Sequence, residues 1–101
     1  QRLAAERGVG VDTVHDLRDR CQSDDHQGVG ARTSALNPDE LEAALDRTDR
    51  LIVFDGIQDP HNFGAALRVC EFFGCHHVLY HEGDSSGLTP AAVKVSAGAV
   101  F

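Results

Sequence analysis

The sequence lacks several features that would assign it to common classes of protein. It contains no Met and begins with Gln1, which favours a processed product or a piece of a longer gene product. No stretch approaches the roughly 20 apolar residues that a transmembrane helix needs. The three cysteines are an odd number without framework spacing. We therefore do not expect disulfide pairing, and a reducing cytoplasm fits best.

Basic residues are scarce, and all but one of them are arginine. Nine Lys and Arg against 16 Asp and Glu give the 101-residue chain a net charge of −7. This charge argues against a general nucleic-acid-binding surface, but it leaves room for a local basic site or a positive groove between subunits. Arginine suits bidentate phosphate contacts, although genome composition explains the bias equally well.

A group of cysteines and histidines raises the question of a metal site: Cys70, Cys75, His76, His77 and His81. Zinc sites usually combine two closely spaced Cys or His pairs, and this spacing differs. Adjacent histidines in a strand would also point to opposite faces. We therefore expect no metal here, and we interpret the group as small core cysteines with exposed imidazoles.

The first part of the chain has weak local signals. Residues 1–8 resemble the end of a helix closed by a glycine, and the alternation over 9–14 suggests a short strand. Residues 16–21 could form a helical turn, 23–25 a tight turn, and 26–32 an extended segment.

The clearest local pattern predicts a helix capped by Asn37. Pro38 would take the first helical position, where its missing N–H costs nothing. Glu40 would fall at the third position and reach back to the cap, and Leu36 would pack on Leu41 as a hydrophobic staple. This helix follows an extended segment and precedes a buried strand, a context that suits a connector between two domains.

A strand–helix–strand unit follows the connector. The apolar run over 51–55 predicts a parallel strand covered on both faces, residues 62–73 predict a helix, and residues 77–80 predict a second strand. Such an arrangement within about 30 residues is a βαβ unit. Gly74 is expected to end the helix, whose predicted apolar face consists of Phe63, Ala66, Leu67, Cys70 and Phe73. Thr89 and Pro90 predict a further helix through about residue 96.

The segment from Asp55 to Gly64 is the place to look for a binding site. Ligands of open α/β sheets bind beyond the carboxyl ends of the strands, and a helix N-terminus offers free N–H groups to a phosphate or carboxylate. Neither the dinucleotide-binding G-x-G-x-x-G nor the P-loop pattern is present. Asn62, taken alone, is most simply a helix cap, and His61 is a weak acid–base candidate.

Arg68 follows Asn62 by six residues, about 240° further around a helix. This position is nearly opposite the predicted apolar face. In an isolated domain Arg68 would be an ordinary solvated side chain, so a functional role requires a partner molecule or a second subunit on that face.

Residues 51–73, LIVFDGIQDPHNFGAALRVCEFF, closely resemble motif 1 of the SpoU (TrmH-like) RNA 2′-O-ribose methyltransferases. The shared features are the buried strand, the spacing Asp59-Pro60-x-Asn62-x-Gly64 and the downstream Arg68. The segment His26-Gln27-Gly28-Val29 is similar to the one that closes the N-terminal substrate-binding domain of these enzymes. Residues 94–99 resemble the helix after the second strand in the bacterial ribosomal-RNA guanosine branch.

The resemblance implies an α/β fold: the first half of a SPOUT-type knotted parallel-sheet methyltransferase domain, preceded by the end of a small α/β substrate-binding domain. On this basis, residues 1–33 would end the RNA-binding domain, 34–50 would form a linker with a helix, and 51–101 would begin the methyltransferase domain. The family's second and third motifs, which form the knot and the cofactor pocket, are expected after Phe101.

The resemblance also implies an activity and its residues. Family members are homodimers that transfer a methyl group from S-adenosylmethionine to a ribose 2′-hydroxyl of structured RNA, here rRNA or tRNA with rRNA favoured, at a site on the dimer interface. Asn62 would organise this site, and Arg68 would position or activate the hydroxyl. His26 and Gln27 would have at most an indirect RNA role. Without the later motifs, we expect the 101 residues alone to be inactive.

Two other interpretations remain open. The chain could be a non-enzymatic RNA-binding or dimerisation module that keeps only the motif 1 face, although the net charge of −7 weakens RNA binding. It could also be a βαβ phosphate-binding piece of another α/β enzyme, which would not explain the joint placement of Asn62, Gly64 and Arg68.

Overall fold

A computed structural model describes residues 2–21, 26–36 and 38–101. The chain divides into two compact units, residues 1–35 and 36–101, and each is described by itself. The predicted turn at 23–25 and the predicted cap at Asn37 lie outside the described residues. Within the described residues, no helix is long and apolar enough to cross a membrane.

The first unit contains two short helices, α1 (Arg2–Glu6) and α2 (Arg18–Cys21). Gly8 follows α1 with φ +68°, as the predicted glycine-closed helix requires. The Asp16 carboxylate accepts a hydrogen bond from the Arg18 N–H at the start of α2. The predicted strand over residues 9–14 is wrong: these residues form no strand pairing with any described segment. Alternating side chains alone do not form a strand without a neighbour to bond with.

A tight turn, rather than the predicted extended segment, begins at His26. The Val29 N–H donates to the His26 carbonyl at 3.1 Å, and φ is positive at Gln27 (52°) and Gly28 (77°). Positive φ at both central positions matches a type I′ turn. The His26 ring stabilises it, because Nδ1 accepts from the Gly28 N–H at 3.0 Å. Residues 29–35 form no helix or strand.

The second unit begins with α3 (Leu41–Leu45), which is shorter than predicted. The prediction that Pro38 begins this helix is wrong, because Glu40 is the N-cap residue and makes no side-chain cap hydrogen bond. The neighbouring Asp39 carboxylate instead accepts from the Arg47 guanidinium at 2.7 Å. The helix buries no residue completely, so little tertiary packing supports a longer one.

The predicted βαβ unit is confirmed, but the prediction that its first strand is covered on both faces is wrong, because Val53 is 60% exposed. Strand β1 (Ile52–Phe54), helix α4 (Pro60–Phe72) and strand β2 (Val78–Tyr80) follow in order. The strands pair in parallel, with Ile52 opposite Val78 and Phe54 opposite Tyr80. Helix α5 (Pro90–Val95) then begins at the predicted place, where the Thr89 hydroxyl accepts from the Ala92 N–H.

The core of this unit lies between the two strands, α4 and α5. Phe54, Phe63 and Ala92 are buried. The Phe63 ring meets the rings of Phe54 and Tyr80 edge to face, with centroids 5.2 Å apart in both pairs, an arrangement that aromatic rings favour. Phe63 is therefore the residue through which α4 is fixed on both strands.

The end of α4 differs from the prediction at one residue. Gly74 follows the helix with φ +68°, as expected. Its N–H donates to the Glu71 carbonyl, and the Cys75 N–H donates to the Cys70 carbonyl at 2.8 Å, which is a Schellman cap. Phe73 was predicted on the buried face, but it is the C-cap residue and 68% exposed. The helix ends before it, so its side chain leaves the apolar stripe.

Candidate functional site

The start of α4 is capped by Asp59 rather than by Asn62. The Asp59 Oδ1 accepts from the His61 N–H at 2.9 Å, and Pro60 occupies the first helical position. Asn62 therefore lies inside the first turn, and its interpretation as the cap is wrong. The signal was present in the sequence, because Asp59-Pro60 repeats the cap-then-proline order of Thr89-Pro90.

The loops that follow the two strands are joined at the carboxyl edge of the sheet. The Ser86 N–H donates to the Ile57 carbonyl at 2.8 Å. Ile57 belongs to the loop after β1, and Ser86 belongs to the loop after β2. Since ligands of parallel sheets bind at this edge, the bond holds together the two segments that frame the candidate site.

Gly64 permits α4 and α5 to touch. A Cβ built on Gly64 would lie 2.5 Å from the Ala92 carbonyl oxygen, 2.8 Å from the Val95 Cβ and 3.1 Å from the Ser96 nitrogen. Ala92 and Ser96 are buried at this contact. The glycine of the Asp59-Pro60-x-Asn62-x-Gly64 pattern is thus explained by close helix packing, a role that the sequence pattern alone does not reveal.

Asn62 and Arg68 both lie on the exposed side of α4. Six residues separate them by about 9 Å along the helix axis, so they do not form a single contact pair. In the described part of the chain, neither side chain makes a hydrogen bond or an ion pair. His61 is also exposed, and its ring forms no hydrogen bond or ion pair with a described side chain. These groups are available to a molecule outside the unit.

Arg68 differs in this respect from Arg47 of the same unit. The Arg47 guanidinium is held by the Asp39 carboxylate at 2.7 Å and by the Ala43 carbonyl at 2.9 Å. Arg68 has no such carboxylate among the described residues, so its charge is not neutralised within the unit. An exposed guanidinium of this kind can bind a phosphate with two parallel hydrogen bonds.

His26 and Gln27 belong to the first unit, whereas the α4 residues belong to the second. His26 is half-buried and Gln27 is exposed. The His26 Nδ1 is already engaged by the Gly28 N–H, which leaves only Nε2 for a ligand. Gln27 has φ +52°, a backbone conformation that belongs to the turn and to neither a helix nor a strand.

A cleft of about 620 Å³ lies in the second unit beside α4 and β2. Its charged lining residues are the acids Asp39, Glu71 and Glu82, while no Lys or Arg of the described residues borders it. Burial, followed by the charge of Glu82, raises the pKa of Tyr80 at its edge. This cleft could not be predicted from the sequence, because residues from 38 to 101 converge on it only after folding.

The described residues include no group of three or more His, Cys, Asp or Glu side chains arranged to hold a metal ion. Cys21, Cys70 and Cys75 are free thiols. His76 lies 3.0 Å from the Glu71 carboxylate through Nδ1, so an imidazole of the cysteine–histidine group is held by an acid in the last turn of α4.

Comparison with known proteins gives a consistent result. The SpoU rRNA Methylase family matches residues 49–101. The chain is 41% identical to the 23S rRNA (guanosine-2'-O-)-methyltransferase RlmB of Ralstonia nicotianae, over 96% of the chain and 42% of that protein. It is 38% identical to the RlmB protein of Shewanella oneidensis, over 82% of the chain and 36% of that protein.

A human protein is also similar. The chain is 41% identical to the human mitochondrial rRNA methyltransferase 1, over 79% of the chain and 24% of that protein. The chain therefore spans less than half the length of these curated relatives. No solved structure matches it.

Proposed function

Because this chain belongs to the SpoU rRNA Methylase family, we propose that the whole protein transfers a methyl group from S-adenosylmethionine to a ribose 2′-hydroxyl of ribosomal RNA. The names of the relatives from Ralstonia and Shewanella support a guanosine of 23S rRNA as the target. The observation that carries the proposal is the exposed Arg68 on α4, inside the matched region, which has no ion-pair partner among the described residues.

Arg68 would hold the RNA at the reacting ribose. Its guanidinium is exposed, and the described residues offer it no carboxylate, so an RNA phosphate can supply the missing anion. A guanidinium is too weak an acid to serve as a ready proton donor or acceptor. Its contribution to the reaction is therefore electrostatic: it positions the 2′-hydroxyl and stabilises negative charge that develops on that oxygen.

Asn62 would organise the same site from the first turn of α4. Its amide carries both donors and an acceptor, and none of them is used within the described part of the unit. His26 and Gln27 would contact RNA only indirectly, at the junction between a substrate-binding domain ending near residue 33 and a linker over 34–50. Residues 51–101 would then begin the knotted domain.

The residues of this chain do not fit S-adenosylmethionine by themselves. The cleft beside α4 is large enough for a small ligand, but its charged lining residues are acidic, and no described Lys or Arg borders it to pair with the cofactor's carboxylate. We therefore assign the cofactor pocket to residues outside these 101. When bound there, the cofactor would supply the methyl group, and the residues described above would hold the RNA.

The exposed apolar end of α4 supports a homodimer. Val69, Phe72 and Phe73 are 56%, 83% and 68% exposed, and they follow Arg68 along the chain. A second subunit that covers them would bring its own surface close to Arg68, as an interface site requires. Sedimentation of the whole protein as a monomer at working concentration would contradict this part of the proposal. We place the protein in the cytoplasm, since its cysteines are free thiols.

The proposal is tested by methyl transfer from labelled S-adenosylmethionine to a 23S rRNA transcript. A 2′-O-methyl group blocks alkaline cleavage at its ribose, so the label should appear in an alkali-resistant dinucleotide. Arg68→Ala should lower the rate about 10²-fold or more, as loss of one preorganised charge typically does. Arg68→Lys, which keeps the charge but not the bidentate geometry, should be intermediate.

Arg50→Ala is the matched control, because it removes the same charge from an exposed position of the same unit and should keep the activity. Label in a mononucleotide would place the methyl group on a base and overturn the 2′-hydroxyl assignment. Salt-dependent RNA retention without any methyl transfer would favour the alternative, a non-enzymatic RNA-binding or dimerisation module.

A further inference from the structure

Two cysteines lie side by side at the end of α4, and we propose that they form a dithiol site that a hydroperoxide converts to a reversible disulfide. Cys70 is in the last turn of α4, and Cys75 is the second residue after the C-cap Phe73. The site is separate from Asn62 and Arg68, and it has no part in the methyl transfer proposed above.

The backbone of the helix cap sets the spacing of the two cysteines. The Cys75 nitrogen lies 2.8 Å from the Cys70 carbonyl oxygen. With standard bond lengths and the Cα–C=O angle of about 120° at a planar carbonyl carbon, this hydrogen bond limits the separation of the two Cα atoms to about 6.7 Å, whatever the angles at the hydrogen bond itself. Disulfides span Cα separations of about 4.4–6.8 Å. The pair therefore meets the distance requirement without movement of the backbone.

The side chains also face a common space. The two positions of a Schellman cap occupied by Cys70 and Cys75 commonly place their side chains in contact. Both residues line the same cleft, both are half-buried and both are free thiols. The only hydrogen bond of the Cys75 thiol in the described residues is a long one, 4.0 Å to the Phe73 carbonyl, so no strong hydrogen bond opposes its rotation toward Cys70.

The chemistry needs one equivalent of a hydroperoxide. The Cys75 thiolate attacks the terminal oxygen, the O–O bond breaks, and the released alkoxide, or hydroxide in the case of hydrogen peroxide, takes up a proton to become an alcohol or water. The Cys70 sulfur then attacks the sulfenic acid of Cys75, the S–S bond forms, and the S–O bond breaks with loss of water. Two electrons pass from the two thiols to the peroxide, and a small thiol or thioredoxin-type reductant restores both thiols.

The order of the two sulfurs follows from their surroundings. Burial, and then the proximity of Cys75, raises the pKa of Cys70. Because the thiolate is the nucleophile, Cys70 is the weaker first attacker and acts as the resolving thiol. A transient bridge of this kind is compatible with a reducing compartment, where structural disulfides do not persist.

The test exploits Glu71, which lies between the two cysteines. The whole protein is treated with hydrogen peroxide, remaining thiols are alkylated, and the protein is digested with a protease that cuts after glutamate. The two resulting peptides should stay joined until dithiothreitol is added. Bridge formation should be at least about tenfold faster in the native protein than in guanidinium, where the loop must first close.

Variants separate this bridge from other thiol chemistry. Cys75→Ser should leave Cys70 without the bridge, and Cys21→Ser is the matched control that should keep it. Separate peptides carrying sulfinic acid, or a rate no faster than in guanidinium, would overturn the proposal. These outcomes are independent of methyl transfer, because the readout is the linkage between two peptides and needs neither RNA nor cofactor.

Discussion

Replacement of Gly64 by alanine tests the close packing of α4 on α5. The added methyl would lie 2.5 Å from the Ala92 carbonyl oxygen and 2.8 Å from the Val95 Cβ. The first neighbour is backbone, so a change of side-chain rotamer cannot relieve the contact. The two helices would have to separate, and this would loosen the buried Ala92 and Ser96.

The expected cost is the difference of two terms. Overpacking of a filled contact costs about 1–3 kcal/mol, and the rigid carbonyl places this site in the upper part of that range. Exchange of a helical glycine for alanine returns about 0.5–1 kcal/mol of conformational entropy. We therefore expect Gly64→Ala to lower the free energy of unfolding by about 2 kcal/mol.

Urea denaturation of the whole protein measures this loss as a lower midpoint with an unchanged m-value. Ala65→Ser is the matched control: it adds one atom at the adjacent, exposed position of α4 and should cost only about 0.5 kcal/mol of helix propensity. If Gly64→Ala were as stable as the wild type, the close approach of the helices would not explain the glycine.

Two further outcomes follow from the second unit. Burial and the charge of Glu82 raise the pKa of Tyr80 above its ordinary value of 10.0. The folded state therefore keeps the phenol proton at a pH where the unfolded state has lost it. As a result, the free energy of unfolding should fall as the pH rises above 10.0. The phenolate absorbance that is lost in Tyr80→Phe should have its midpoint above 10.0 in the folded protein, and a midpoint at or below that value would contradict the burial of the ring. Calorimetry of the 101-residue chain with S-adenosylmethionine should show no binding, because no described Lys or Arg borders its cleft, whereas tight binding would place the cofactor pocket within these residues.

The first residues of the helices show how much of the fold a local sequence pattern can predict. Thr89-Pro90 and Asn37-Pro38 carry the same order of cap and proline, but only the first begins a helix where predicted. Helix α5 packs on α4 through the buried Ala92, whereas α3 has no fully buried residue and Asp39 is engaged by Arg47. Tertiary packing, which the local pattern does not contain, decides which proline begins a helix.

The candidate site could be predicted in part. The run over 51–55 and the periodicity after it were sufficient for the βαβ unit, because buried parallel strands and amphipathic helices have distinct patterns. The exposure of Arg68 also followed from helical geometry. The contact of Gly64 with α5 and the convergence of Cys70 and Cys75 on one cleft could not be predicted, because both depend on residues that meet only in the folded chain.

The hydrogen bond between Ile57 and Ser86 has a consequence for how this sequence can vary. It joins two loops whose lengths would otherwise be independent, so an insertion in either loop would displace the carbonyl or the N–H by one residue and break the pair. Length changes in homologous sequences should therefore be rare in residues 55–59 and 82–88, and where one loop lengthens the other should change with it.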